Sequence, residues 1–230
     1  MKKLHLLIVI IFLLILSTQA WSADKIALTL KARGDTRLKR ADGEKFKSNI
    51  KPGTSLFNED HLKTGKDGYA VLVFLDDKSQ IKIRENSEMM IAGTRTTEAI
   101  SKRISMQFGT LKAEVSPQRK GEFIIATPTS VASVKGTTFW VTSDPVMGDV
   151  FYGESGSVEV TNNESGAVIV VGANETGTST PDGQVDVEAT PEGAAPTDEE
   201  DEDDAETYNL LRIQLQNAQG DIKDIKIEYK

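Results

Sequence analysis

Across residues 26–172 apolar side chains arrive in short bursts that alternate with polar ones. Ile26-Ala27-Leu28-Thr29-Leu30, Gln80-Ile81-Lys82-Ile83, Ile104-Ser105-Met106-Gln107-Phe108, Thr110-Leu111-Lys112-Ala113-Glu114-Val115 and Val158-Glu159-Val160 all follow this rule. A period of two places alternate side chains on one face of an extended chain, so each burst predicts a half-buried strand. Tyr69-Ala70-Val71-Leu72-Val73-Phe74-Leu75 is a continuous apolar run and predicts a strand covered on both faces. Phe123-Ile124-Ile125 and Ala167-Val168-Ile169-Val170-Val171 complete the series. Asp42-Gly43, Pro52-Gly53, Asp67-Gly68, Asp76-Asp77, Phe108-Gly109 and Glu154-Ser155-Gly156 supply turn signals between them. Nothing between residues 24 and 173 sustains a 3.6-residue period. The expected fold is all-β: a sandwich or flattened β-roll or solenoid of many short strands.

The pattern changes near Asn174. Residues 174–207 hold no Lys, Arg, Leu or aromatic side chain before the final Thr, and they include Asp198-Glu199-Glu200-Asp201-Glu202-Asp203-Asp204. Such a composition buries too little apolar surface to offset its ordering entropy, so residues 173–207 are expected to form an acidic, disordered linker. Alternation resumes in Leu211-Arg212-Ile213-Gln214-Leu215 and in Ile225-Lys226-Ile227-Glu228-Tyr229, on either side of Gly220. Residues 208–230 are therefore expected to be a β-hairpin, which on its own is marginal in water.

At the other end, Lys2 and Lys3 precede an apolar run over residues 4–16, and small residues follow at Ala20 and Ser22. This is the layout of a secretory signal peptide, residues 1–22, and it is shorter than the ~20 apolar residues of a membrane-spanning helix. Export places the mature chain in the periplasm or outside the cell, with no stable membrane span after cleavage. An uncleaved signal would leave it tethered to the inner membrane instead. With no Cys in the chain, disulfides, a lipid-modified Cys and thiolate metal sites are all excluded. Charge is distributed unevenly. Residues 24–135 carry 21 Lys/Arg and 14 Asp/Glu, whereas residues 136–211 carry 18 carboxylates and no Lys or Arg. In an exported protein this asymmetry does not point to nucleic acid. Lys25, Lys31, Arg33, Arg37, Lys39 and Arg40 are close in sequence and are candidate contacts for an anionic partner.

Two stretches carry a family resemblance. One runs from Ile50-Lys51-Pro52-Gly53-Thr54-Ser55-Leu56 through Leu62-Lys63-Thr64-Gly65 and Gly68 to Leu75-Asp76-Asp77-Lys78-Ser79. The other joins Gly109-Thr110-Leu111 to Ala126-Thr127-Pro128, then Val134-Lys135-Gly136-Thr137-Thr138-Phe139-Trp140-Val141. Together they resemble the FecR domain over residues 24–172. The resemblance makes Thr127, Pro128, Val134, Lys135, Gly136, Thr137, Phe139 and Val141 its signature positions. Phe139 and Val141 are expected on one strand face and Trp140 on the other, either packed in a second apolar layer or exposed as a contact residue. Lys78 stands where the family usually has Gly, so this turn is expected to avoid the left-handed conformation that Lys resists. Only three residues precede the apolar core of the signal, so the family's cytoplasmic anti-sigma segment is expected to be missing.

Catalytic equipment is not legible. The mature chain's single His61 lies between Asn58-Glu59-Asp60 and Leu62 with no nucleophile motif nearby. Asp76/Asp77 and Glu59/Asp60 are adjacent pairs on turns, unlike carboxylates that face each other across a cleft. The acidic run lacks the spaced ligands of a calcium loop. The expectation is a protein without catalytic residues, metal or cofactor, binding a protein or an anionic envelope polymer. The FecR resemblance also implies the alternative of a periplasmic sensor linked to outer-membrane transport signalling.

Overall fold

A computed structural model describes residues 25–48, 50–118, 120–198, 209–216 and 222–229. The signal segment and most of the acidic run therefore lie outside the described residues. All described regular structure is extended. The strands are β1 (Lys25–Arg33), β2 (Thr36–Lys39), β3 (Lys47–Ser48), β4 (Ser55–Phe57), β5 (Asp60–Thr64), β6 (Tyr69–Phe74), β7 (Gln80–Ile83), β8 (Glu88–Arg95) and β9 (Ile100–Glu114). They continue as β10 (Phe123–Ala126), β11 (Ser130–Val134), β12 (Thr138–Asp144), β13 (Gly148–Ser155), β14 (Ser157–Asn162), β15 (Val168–Gly172), β16 (Glu175–Ser179) and β17 (Val185–Ala189). A separate unit from Pro191 onward contains β18 (Asn209–Gln216) paired antiparallel with β19 (Ile222–Tyr229).

Strands β1 to β17 form one hydrogen-bonded system folded into two layers. One layer runs β4-β1-β6-β7-β9-β12-β13-β16-β17. The other runs β3-β2-β5-β8-β9-β10-β11-β14-β15. Every pair is antiparallel except β9–β10. From β10 onward the chain lays down two strands in one layer, then two in the other, so the sandwich grows outward from β9. A single core lies between the layers, with Leu72, Phe74, Ile81 and Phe139 from one and Leu62, Ile91, Ile104, Phe123 and Val160 from the other. The Phe74 and Phe123 rings meet edge to face at 5.5 Å across it. Each fully buried large apolar side chain contributes roughly 1.5–3 kcal/mol, so the core is the principal source of stability.

Strand β9 belongs to both layers, and its sequence shows how. Ile100, Lys102, Ile104 and Met106 are buried at even positions, whereas Leu111 and Ala113 are buried at odd ones. The parity changes around Gly109, which has φ +113°. Residues 100–108 pair with β8, and residues 111–114 pair with β7. A Cβ at position 109 would overlap Cα and Cβ of Ser87. Ser87 cannot retreat easily, because its hydroxyl accepts from the Thr110 amide at 3.0 Å and its own amide donates to Thr64 Oγ1 at 3.0 Å.

Lys102 points inward from β9, and its side chain is 0% exposed. Its ammonium pairs with Asp76 at 2.7 Å and Asp77 at 2.8 Å, both in the β6–β7 turn of the opposite layer, and lies 5.5 Å from the Phe74 ring centre. Burial of Asp77 works against its ionisation, but hydrogen bonds from Gln118, Lys102 and Ser79 hold its carboxyl below the usual range. These partners make a buried ion group tolerable where an isolated charge would not be.

Two expectations are corrected here. Lys78 does adopt the left-handed conformation, with φ 64°. Closure of the β6–β7 hairpin by Phe74 N–H to Ser79 C=O at 2.9 Å requires the chain to reverse there, and the Asp77 side chain accepts from the Ser79 amide at 2.9 Å. Tertiary closure thus overrides the local preference of Lys. The second correction concerns the linker, because the folded unit runs to Thr190 and includes β16 and β17. Thr176 and Ser179 are buried, β16 pairs with β13, and Asn162 donates to Ser179 Oγ at 2.9 Å. Backbone pairing and small buried hydroxyls stabilise these strands where apolar content is low.

Gly109→Ala should destabilise the chain by at least about 3 kcal/mol, from left-handed strain plus overlap with Ser87 backbone. Urea unfolding would check this, and a loss below 1 kcal/mol would show that β9 bends without needing Gly. Lys78→Gly should act in the opposite direction and raise Tm by about 1–4 °C, since Gly accepts positive φ without strain.

Candidate functional site

Two of the signature positions, Thr127 and Pro128, lie in the turn between β10 and β11. Thr127 N–H donates to Ser130 C=O at 2.9 Å, and the Thr127 hydroxyl accepts from the Ser130 amide at 2.8 Å. That hydroxyl donates to Asp149 Oδ2 at 2.5 Å, and the Ser130 hydroxyl donates to the same oxygen. Pro128 caps the turn at the surface, where Asn163 of the β14–β15 turn donates to its carbonyl at 3.1 Å. A Thr-Pro pair serves this arrangement because Pro needs no donor and presets the turn, while the Thr hydroxyl satisfies the amides that the turn leaves open. Asp149 lies on β13 in phase with the buried Phe151 and is 2% exposed. Burial pushes its carboxyl above the usual carboxylate range, and the hydroxyls of Ser130, Thr127 and Ser143 pull it only part of the way back.

The remaining signature residues are also absorbed by the fold. Val134 ends β11 and is buried; Lys135 is exposed at the turn that follows. Gly136 has φ +99°, and a Cβ there would stand 3.0 Å from Pro117 Cα. The Thr137 hydroxyl donates to Ser157 C=O at 2.8 Å, tying the start of β12 to β14. Phe139 and Val141 enter the core. Trp140 faces outward from the same strand but is enclosed, at 1% exposure, so it offers no contact surface. Its Nε1 donates to Glu154 at 2.8 Å, and the Lys112 ammonium lies 5.4 Å from its ring centre while also pairing with Glu154 at 2.9 Å.

The candidate basic residues divide between the two layers. Lys25, Lys31 and Arg33 lie on β1; Lys31 and Arg33 stand 6.0 and 5.4 Å from the Tyr69 ring centre. Arg37 and Lys39 lie on β2 in the other layer, Arg37 paired with Asp35 at 2.7 Å and Lys39 over Phe46 at 5.4 Å. Arg40 is held by Asp60 at 2.5 Å and stacks 5.0 Å from Phe57. Arg40 also contributes, with Lys45 and Lys47, to a cavity of about 470 Å³ floored by Leu38 and Ile50. Of the two acid pairs, Asp60 is thus engaged by Arg40, and Asp76/Asp77 by Lys102. Opposite Lys39 on β2 stands His61, whose imidazole burial and the Lys39 charge hold below its usual value, against the nearby carboxylates.

Sequence reasoning passed over Lys102, Ser130 and Asp149. A signal existed for the first, because Lys102 falls on the buried phase of Ile100-x-Lys102-x-Ile104-x-Met106. Asp149 shares its phase with Phe151 in the same way.

Asp149 yields a signed pH dependence. Its folded value lies above the unfolded one of about 3.9, so its stabilising, protonated state is fully present below that pH and is lost as pH rises through the folded value. Asp149→Asn should remove this decline, measured as the difference between variant and parent urea midpoints from pH 3.5 to 8. The lowered Asp77, whose contribution is lost as pH falls, is common to both chains and cancels. A difference that does not change with pH would mean that Asp149 is ionised in the fold. Asp149→Ala should cost about 1–3 kcal/mol at all pH values, because the Thr127 and Ser130 hydroxyls lose their acceptor.

No helix among the described residues is long and apolar enough to cross a membrane. Two crystal structures of a proposed anti-sigma factor from Parabacteroides distasonis are similar to the chain. The 2.50 Å structure is 18% identical with a TM-score of 0.48, and the 1.65 Å structure is 20% identical with a TM-score of 0.46. In each case the match covers 56% of this chain and 59% of the other. No curated protein matches the sequence. Residues 60–164 match the model of the family described as FecR protein. That matched segment runs from the start of β5 to the turn after β14, and over it the chain is similar to FecR proteins.

Proposed function

We propose that the chain is an exported, non-enzymatic FecR-type regulator that acts by binding a protein partner in the bacterial envelope. The FecR match over residues 60–164 carries this reading. The chemistry of the signature residues supports it, since Thr127, Gly136, Thr137 and Phe139 all serve turns, strand joints and core. The side chains with the greatest chemical potential also have structural tasks. Asp76 and Asp77 neutralise Lys102, Asp60 holds Arg40, and Asp149 holds a turn. A fold that uses its polar groups in this way presents a rigid surface, and rigid surfaces suit recognition because little order must be gained on binding. The signal sequence over residues 1–22 supports an envelope location.

A second reading has one specific observation behind it. The cavity lined by Leu38, Arg40, Asp42, Lys45, Lys47 and Ile50 holds three cations against one carboxylate, with Arg40 also paired to Asp60, and its excess of Lys45 and Lys47 favours an anionic envelope polymer.

Deletion of the gene in its native host should alter transcript levels at a restricted set of promoters, with recovery on return of the full chain. Cell fractionation should place the tagged full chain in the envelope or the medium. An unchanged transcript profile would reject regulation, and an unprocessed chain confined to the cytoplasm would reject export. For the polymer reading, Lys45→Glu with Lys47→Glu should weaken retention on an anionic resin well beyond the effect of Lys63→Glu with Lys120→Glu. Equal weakening would assign retention to net charge alone.

A further inference from the structure

The two layers end in four strands that pair on one side only among the described residues: β3, β4, β15 and β17. Unpaired strand edges attract other strands, and proteins blunt them by shortness or charge. Three of the four are blunted. β3 has two residues, β4 has three, and β17 exposes Asp186 and Glu188. β15 is different: Val168-Ile169-Val170-Val171-Gly172 has five residues, no charge and no Pro.

The hydrogen-bond phase shows what this edge offers. Asn162 N–H donates to Ala167 C=O at 2.9 Å, and Val160 and Val158 stand opposite Ile169 and Val171. In an antiparallel ladder alternate residues turn their backbone groups toward the same neighbour. Ala167, Ile169 and Val171 therefore face β14, and Val168, Val170 and Gly172 face away from it. Gly172 confirms the phase, since its amide donates to the Glu175 carboxylate at 2.7 Å. Glu175 thereby closes one end of the edge and leaves Val168 and Val170 as its usable backbone donors and acceptors. Their side chains, each 55% exposed, form an apolar shelf on the outer face.

We propose that β15 is a docking edge on which a protein partner adds an extended strand of alternating aliphatic and basic residues. This deepens the partner-binding reading above and rests on it. The aliphatic requirement comes from the Val168–Val170 shelf. The basic requirement comes from the charge around it: Glu159 is the cross-strand neighbour of Val170 and Glu164 lies in the β14–β15 turn, two carboxylates against the single ammonium of Lys135 that lines the same hollow as Glu159 and Val170. No Lys or Arg occurs anywhere in residues 136–211. A second copy of this chain would bring the same carboxylates against these, so the charge pattern disfavours self-pairing and selects a cationic strand. Backbone hydrogen bonds supply affinity in such strand addition, and alternate side chains supply selectivity.

The test uses the full chain and a blocked synthetic peptide of alternating Lys and Val, with the Glu/Val counterpart as control. NMR hydrogen exchange should show the Val168 and Val170 amides fast in the free chain and slowed by the Lys/Val peptide alone. Val170→Pro removes one outward donor and no bond to β14, so it should weaken binding by at least about tenfold. Val170→Thr should bind like the parent. Val168→Lys, which leaves every backbone bond in place, should weaken the cationic peptide too and covers the case in which the Pro variant does not fold. The proposal is overturned if Val168→Lys and a folded Val170→Pro bind normally. Amides already slow in the dilute free chain, or slowed by raising protein concentration alone, would also overturn it, in favour of coverage by the chain itself or by a second copy. Transcript changes on gene deletion that are fully reversed by the Val168→Lys chain would sink the docking edge while leaving the regulator reading intact.

Discussion

One strand holds the two layers together. β9 enters the fold at even-phase positions in the layer of β8 and β10, turns at Gly109, and leaves at odd-phase positions between β7 and β12. The change of phase coincides with a register irregularity against β8, where Glu88 pairs with Phe108 and Met89 with Met106. The positive φ at Gly109 inserts the half-period shift that lets a single strand serve both layers. Everything added later, from β10 to β17, is laid on one or other half of this bent strand, so an error in its phase would misplace the C-terminal half of the sandwich.

The buried ionisable groups make a second layer of constraint around β9. Lys102 ties its first half to the β6–β7 turn across the core, through Asp76 and Asp77. A buried ion group of this kind adds little net stability over an apolar substitute, yet removal of one partner leaves an uncompensated charge. Asp149 joins β13 to the β10–β11 turn further along, and there burial outweighs the hydroxyl hydrogen bonds and raises the carboxyl above its usual range. The two sites shift their carboxyls in opposite directions, because Asp77 has a cation in contact and Asp149 has only hydroxyls.

The Thr127-Pro128 turn, Gly136, Thr137 and Phe139 are taken up by turns, strand joints and core. What folding does not consume is elsewhere: sheet edges, the cavity beside Arg40 and the acidic flank of β15. Recognition by edge and charge also fits a module whose layers grow by repeated strand pairs, since each new pair leaves a fresh edge to be blunted or used.

Much of this was readable from residues alone. Period-two alternation determined the all-β class, and the continuous run at β6 determined a strand covered on both faces, because side-chain direction in an extended chain depends only on position. The FecR resemblance rested on short strings whose turn residues have local conformational reasons. Other features needed distant partners. Lys78 takes positive φ because a hairpin must close around it, and β16 and β17 form in a weakly apolar segment because β13 offers them a ladder. Lys102 and Asp149 are buried because opposing layers provide ions and hydroxyls. Even the exposed edge at Val168 and Val170 depends on hydrogen-bond phase, which is set by the partner strand β14. Local sequence determined which residues extend and which turn; only the assembled layers decided which backbone groups find partners and which are left to offer.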